Sequence, residues 1–213
     1  MSTQTQVAFE KMIFRKTNSQ TGRHVSVTPQ NSTMRHLAYG RVILNSSKPS
    51  VSFSDGDRET GLICLSGKAT VKAAGKEFEL AKFDAIYIPR DSSIEISTNT
   101  SVDLAEFSAE VNRKYPLKVV RYADVEKDPG LKFVTGGPGS SRELNMLIAK
   151  NVEAGRLLPG YALRSGQVDE LASARAFPLG DGSSLRSGRP AVWCREYSTG
   201  IQQDGFGLET GRK

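Results

Sequence analysis

From Met34 onward the apolar positions fall into short runs broken by Gly, Pro, Asn and Asp, the texture of successive β-strands. Leu37-Ala38-Tyr39-Gly40-Arg41-Val42-Ile43-Leu44 reads as one strand, and Ser50-Val51-Ser52-Phe53 alternates cleanly as a second. Gly56-Asp57-Arg58 is a turn, after which Thr60 to Leu65 is a continuous apolar run ended by Ser66-Gly67. Ala69 to Ala73 and Glu77 to Leu80 flank Ala74-Gly75-Lys76, a hairpin signal. Asp84 to Ile88 closes at Pro89, and Ile94 to Ile96 and Val102 to Phe107 alternate again. Eight short strands with turn residues between them, and no long helical period, predict an all-β sandwich or barrel. The order of a strand entering Ser-Gly, a glycine hairpin and a strand closing at Ile-Pro is the layout of a cupin (jelly-roll) barrel, whose closure covers the strand edges.

The flanks differ. Residues 1–33 are polar, with one apolar cluster at Met12-Ile13-Phe14, and read as a loosely held arm with one short edge strand. The barrel spans 34–110. Residues 111–161 read as a connector, with a short helix starting at Asp124, followed by the first strands of a second, incomplete cupin at Glu143–Lys150 and Arg156–Leu158. Residues 162–213 are rich in Gly, Ser and Arg and show neither strand nor helix period, so they are expected to be poorly ordered.

Composition changes this picture little. The 213 residues carry a net charge of +6, but the basic residues are scattered, and the densest patch, Val111 to Lys118, is short. No nucleic-acid motif accompanies it, so a mildly basic solvated surface is expected and nucleic acid is not a predicted partner. No apolar run reaches the roughly 20 residues of a membrane span, and Met1-Ser2-Thr3-Gln4 does not open a secretory signal. Two cysteines, Cys64 and Cys194, suit a reducing compartment. The expected location is cytoplasmic, with no membrane partner; assembly into a homo-oligomer is compatible with the sequence.

Candidate chemistry is sparse. Cys64 lies in an apolar run without a basic neighbour and reads as a buried small hydrophobe rather than a nucleophile. Gly136-Gly137-Pro138-Gly139-Ser140-Ser141 lacks the Lys-Ser/Thr ending of a phosphate loop and a preceding strand, and reads as a flexible turn. Arg58 and Glu59 stand at the predicted barrel mouth, where a ligand contact or a structural salt bridge would use them. Ser, His and Asp form no triad order. The only histidines, His24 and His36, are N-terminal and outside any HxH pair, so each reads as a surface or hydrogen-bonded side chain. Trp193 and Cys194 are assigned no role.

Six collinear stretches resemble the 5-deoxy-glucuronate isomerase family, a bicupin group related to the 4-deoxy-5-ketouronate isomerases. They are TPQNSTMRHLAYGRVIL (28–44), VSFSDGDRETGLICLSGKATV (51–71), DAIYIPRDSSIEI (84–96), YPLKVVRYADV (115–125), SRELNMLIA (141–149) and AGRLLPGY (154–161). The resemblance implies a ketol isomerase acting on a sugar acid in myo-inositol catabolism. It also implies a structural first cupin and a second cupin that holds a divalent metal, zinc or manganese, with three His and one Glu. The metal polarises the sugar oxygens while a base moves a proton between adjacent carbons. Two N-terminal histidines do not make that ligand set. No catalytic, cofactor-binding or metal residue is therefore assigned, and this chain is expected to carry no cofactor and to lack the activity. The alternative is a non-catalytic cupin that binds sugars or oligomerises.

After Tyr161 the resemblance stops. Codons compatible with Leu163 to Phe177, read from their second base, encode SEAGKWTSWPPHEH, the opening of the family's metal site. Most bases of that reading are dictated by the residues observed. The expectation is a one-base slip near 162–164, with the remainder translated out of frame.

Overall fold

The computed structural model describes residues 14–137 and 141–164, together with the strand backbone at 191–198, 201–202 and 206–208. In chain order the first ten strands are β1 (Gly22–Val27), β2 (Leu37–Leu44), β3 (Ser50–Ser54), β4 (Arg58–Gly67), β5 (Ala69–Ala73), β6 (Lys76–Leu80), β7 (Ala85–Ile88), β8 (Ser93–Ser97), β9 (Val102–Glu110) and β10 (Lys118–Val120). A single helical turn, α1 (Tyr122–Val125), precedes β11 (Lys132–Thr135), β12 (Arg142–Met146) and β13 (Leu157–Arg164). Three further strands follow, β14 (Ala191–Ser198), β15 (Ile201–Gln202) and β16 (Phe206–Leu208).

The first ten strands make two facing sheets, ordered β1-β2-β9-β4-β7-β10 and β3-β8-β5-β6. Val42, Leu44, Leu62, Cys64, Val71 and Ile96 fill the space between them. The six-stranded sheet is buried on its other face too. There Tyr39, Ile63, Tyr87 and Phe107 pack against Leu147, Ile148, Leu157 and Tyr161 of the following unit. Burial on both faces explains why Leu37–Leu44 and Thr60–Leu65 are apolar runs rather than alternations, whereas β8, with one face in water, alternates. The β5–β6 hairpin turns on Ala74 and Gly75, with φ of 49° and 73°. Positive φ at both positions is the turn that matches the twist of paired strands.

All eight strands expected between 37 and 107 are present, as β2 to β9. The differences lie outside them. Gly22–Val27, read as part of the arm, is strand β1, paired antiparallel with β2 from Gly22↔Ile43 to Val27↔Tyr39. Its residues alternate too weakly to show as a strand; pairing to an open sheet edge supplies what the side chains do not. The edge strand expected at Met12-Ile13-Phe14 falls mainly outside the described residues. The connector contributes β10, which pairs with β7, and α1 begins two residues before the expected Asp124. A strand does precede Gly136: β11 runs to Thr135 and pairs with β12, so the glycine segment joins a hairpin rather than opening a helix.

The tail also departs from expectation where it is described. β14 pairs antiparallel with β13 from Leu157↔Glu196 to Ala162↔Ala191. Strand pairing needs an extended backbone and a free edge more than a side-chain period, and Val192, Trp193 and Tyr197 belong to residue types that favour strands. The rest of 165–213 lies outside the described residues, and so does the disorder expected for it.

Candidate functional site

Three polar constellations interrupt the apolar packing. The tightest is built on Glu59, in β4, which is fully buried. Its Oε2 accepts from the Tyr87 hydroxyl at 2.8 Å and from the Gly155 amide at 2.7 Å. Its Oε1 accepts from the amides of Arg156 at 2.6 Å and Leu157 at 2.9 Å. A Cβ on Gly155 would meet Val111 Cγ1 at 2.6 Å, so only glycine lets this backbone approach the carboxylate. One turn of the chain entering β13 is thus fastened to the barrel sheet by a buried anion. Both oxygens of this carboxylate are engaged by donors from two parts of the chain, so the Glu59 constellation joins two units. Burial, and then the Glu59 charge, push the Tyr87 phenol well above its ordinary range.

Arg58 points the other way along the same strand. It donates to Ser108 Oγ at 3.1 Å, the Ser108 carbonyl at 2.8 Å and the His36 carbonyl at 3.0 Å. Both residues singled out at the predicted barrel mouth are thus engaged by partners within the protein.

The second constellation surrounds Tyr122. Asp84 fixes the start of α1, accepting from the Tyr122 amide at 2.9 Å and from Arg121 Nη1 at 2.7 Å. Phe83 stacks on Tyr161 with ring centroids 4.4 Å apart and meets the Tyr122 ring edge-on at 5.4 Å. The polar contacts are long. Lys132 Nζ lies 3.4 Å from the Tyr122 hydroxyl and from Glu126, and 3.5 Å from Glu143; Asn145 Nδ2 reaches Glu143 at 3.2 Å. The Tyr161 hydroxyl is buried without a hydrogen-bond partner among the described residues.

The third lies in the barrel mouth. Arg23, on β1, donates to Glu106 of β9 through Nε at 2.9 Å and Nη2 at 2.6 Å, and to Asp55 at 2.5 Å. Its guanidinium lies 3.8 Å from the centre of the Phe53 ring, and Thr60 donates to the other Asp55 oxygen at 2.7 Å. Burial pushes the Glu106 carboxyl above its ordinary range, with Arg23 opposing. For Arg23 burial acts to lower the value, but Glu106 and Asp55 outweigh it and the net shift is upward.

Cys64 is fully buried, and its thiol is pushed up to about 12, chiefly by burial and then by the Asp84 and Asp103 charges. The structural reading of this cysteine stands. His24 is exposed on β1, opposite Arg41. His36 lies five residues before Arg41, roughly 16 Å away along a strand, so the two histidines do not converge. Among the described residues no three His, Cys, Asp or Glu side chains group to hold a metal ion. The residues described here do not fit a metal of the kind the resemblance implies.

Sequence reading missed Arg23, Asp55, Glu106, Tyr122, Asn145 and Gly155. A signal existed for most of them. The stretches VSFSDGDRETG, AGRLLPGY, DAIYIP, YPLKVVRYADV and SRELN supply Glu59 with Gly155, Asp84 with Tyr122, and Asn145. These blocks, separate in the chain, contact one another in space.

An IolB-like protein from Salmonella typhimurium LT2 superposes with a TM-score of 0.57 at 19% identity, covering 71% of this chain and 59% of that one. A cupin protein from Bacteroides fragilis (TM-score 0.37, 18% identity, 44% of this chain and 80% of that one) is also similar. So is the cupin domain of Cnp3 from Schizosaccharomyces pombe (TM-score 0.34, 19% identity, 36% and 58%). No curated protein matches. The chain thus spans 59% of the IolB-like structure, and at these identities the structural likeness speaks to fold alone. No helix among the described residues is long and apolar enough to cross a membrane. The profile of the KduI/IolB family matches residues 12–166, most of the chain and both structural units. With its jelly-roll sheets and that match, the chain belongs to the KduI/IolB family of cupin proteins.

Proposed function

We propose that this chain represents the structural portion of a sugar-acid ketol isomerase. The reaction is the aldose–ketose interconversion of a deoxy uronic acid, 5-deoxy-glucuronate in myo-inositol catabolism, carried out in the cytoplasm. The family match over residues 12–166 carries the reading. In this proposal the described residues give the barrel and the Glu59-anchored start of a second unit, while the metal ligands belong to the frame-shifted text after residue 162. The chain as written therefore neither holds the metal nor turns over substrate. A non-catalytic sugar-binding or oligomerising cupin is the competing reading, favoured by the engagement of Arg58 and Glu59 by partners within the protein.

Resequencing the gene around codon 162, and assaying the protein with and without deletion of one base there, separates the two. Zinc or manganese at about one equivalent together with isomerase turnover is expected only from the restored frame. One equivalent of metal on the chain as written, or a restored chain that binds metal without turnover, overturns the isomerase proposal.

A further inference from the structure

Strand β1 is an edge strand, paired among the described residues with β2 and no other strand. Its two ends are held differently. Val27 is buried in the apolar cluster on the outer sheet face. Between Val25 and Val27 the register with β2 shifts at an irregularity, the kind of place where an edge strand bends. At the Gly22 end, beside the backbone ladder with β2, Arg23 ties the strand across the barrel: its guanidinium reaches from β1 to Glu106 in the same sheet, to Phe53 of the opposite sheet and to Asp55 in the turn that follows it. Arg23 retains 22% side-chain exposure, while Asp55 and Glu106 beneath it retain 8% and 2%. The guanidinium is the layer between those carboxylates and water.

We infer that β1 is a strap closed over the barrel mouth, hinged at the Val25–Val27 irregularity and clasped by the Arg23 guanidinium. Undoing the clasp admits solvent to Asp55, Thr60 and Glu106 while the rest of the barrel stays folded, because the interior apolar cluster contains no residue of β1.

Hydrogen exchange of the full chain, followed by mass spectrometry, tests this. In Arg23→Ala, amides at the Gly22 end of β1 should exchange at least about tenfold faster, as expected when charge-assisted hydrogen bonds are lost, with β4 and β9 unchanged. Millimolar methylguanidinium should restore protection, and sodium chloride at equal concentration should not. Unchanged β1 protection overturns the inference, as does equal acceleration in β4 and β9, or equal restoration by the two salts. Should Arg23→Ala fail to fold, the neutral pair Arg23→Met with Glu106→Gln carries the reading. Fast β1 exchange indifferent to methylguanidinium supports the clasp; slow exchange refutes it.

Discussion

Glu59 and Glu106 are the most deeply buried carboxylates among the described residues, and they are neutralised in opposite ways. Glu59 is met by three backbone amides and a phenol, none of them charged. Glu106 is met by a guanidinium on an edge strand. Backbone donors cannot leave without unfolding the segment that carries them, whereas a guanidinium at the end of a flexible side chain can swing away. The first arrangement therefore welds two units, and the second fastens a strap. Burial cost is comparable in the two cases; what differs is whether the compensating donors are part of the main chain.

Replacing Glu59 should have the largest effect. Glu59→Leu removes the carboxylate and strands three amides and the Tyr87 hydroxyl, a loss of about 3–5 kcal/mol on summing unmet buried donors. Urea unfolding should then lose its single transition as the second unit separates from the barrel. A loss below about 1 kcal/mol with one transition retained would erase the distinction between the two carboxylates.

Glu106→Gln should cost far less, about 1 kcal/mol at neutral pH, since the amide keeps an acceptor for Arg23 and Asp55 remains. Its pH dependence sharpens the contrast. The folded-state pKa of Glu106 lies above its ordinary value of 4.5. The folded protein therefore holds the proton more firmly than the unfolded chain. That contribution to stability is complete below 4.5 and is lost as pH rises through the folded value. The stability gap between wild type and Glu106→Gln should accordingly narrow from acid toward neutral pH in urea titrations. A gap that widens with pH would mean that the Arg23 ion pair, not burial, dominates.

Tyr161→Phe should show the smallest effect, within about 0.5 kcal/mol of wild type by thermal unfolding, because its buried hydroxyl has no described partner to lose. A loss above about 1 kcal/mol would show that the hydroxyl is engaged, and that the Tyr122 cluster is as tightly tied as Glu59.

The sequence alone determined the strand content from Leu37 to Phe107, since alternation, Gly and Pro punctuation and turn chemistry are local properties that survive reading one residue at a time. It also determined the kinship, through short blocks whose order is conserved with the resemblance, and the shortage of histidines, which is a matter of counting. Only the tertiary structure decided that β1 belongs to the barrel sheet and that β14 completes pairing with β13, because an edge accepts a strand through its backbone groups, whatever the side-chain period. It alone assigned Glu59 to a junction rather than a ligand. The donors that occupy its carboxylate come from Tyr87 and from residues 155–157, nearly a hundred positions away, and nothing local to Gly56-Asp57-Arg58-Glu59 records their approach. Long-range pairing of buried polar groups is set by how sheets stack, and stacking is written in no single stretch of chain.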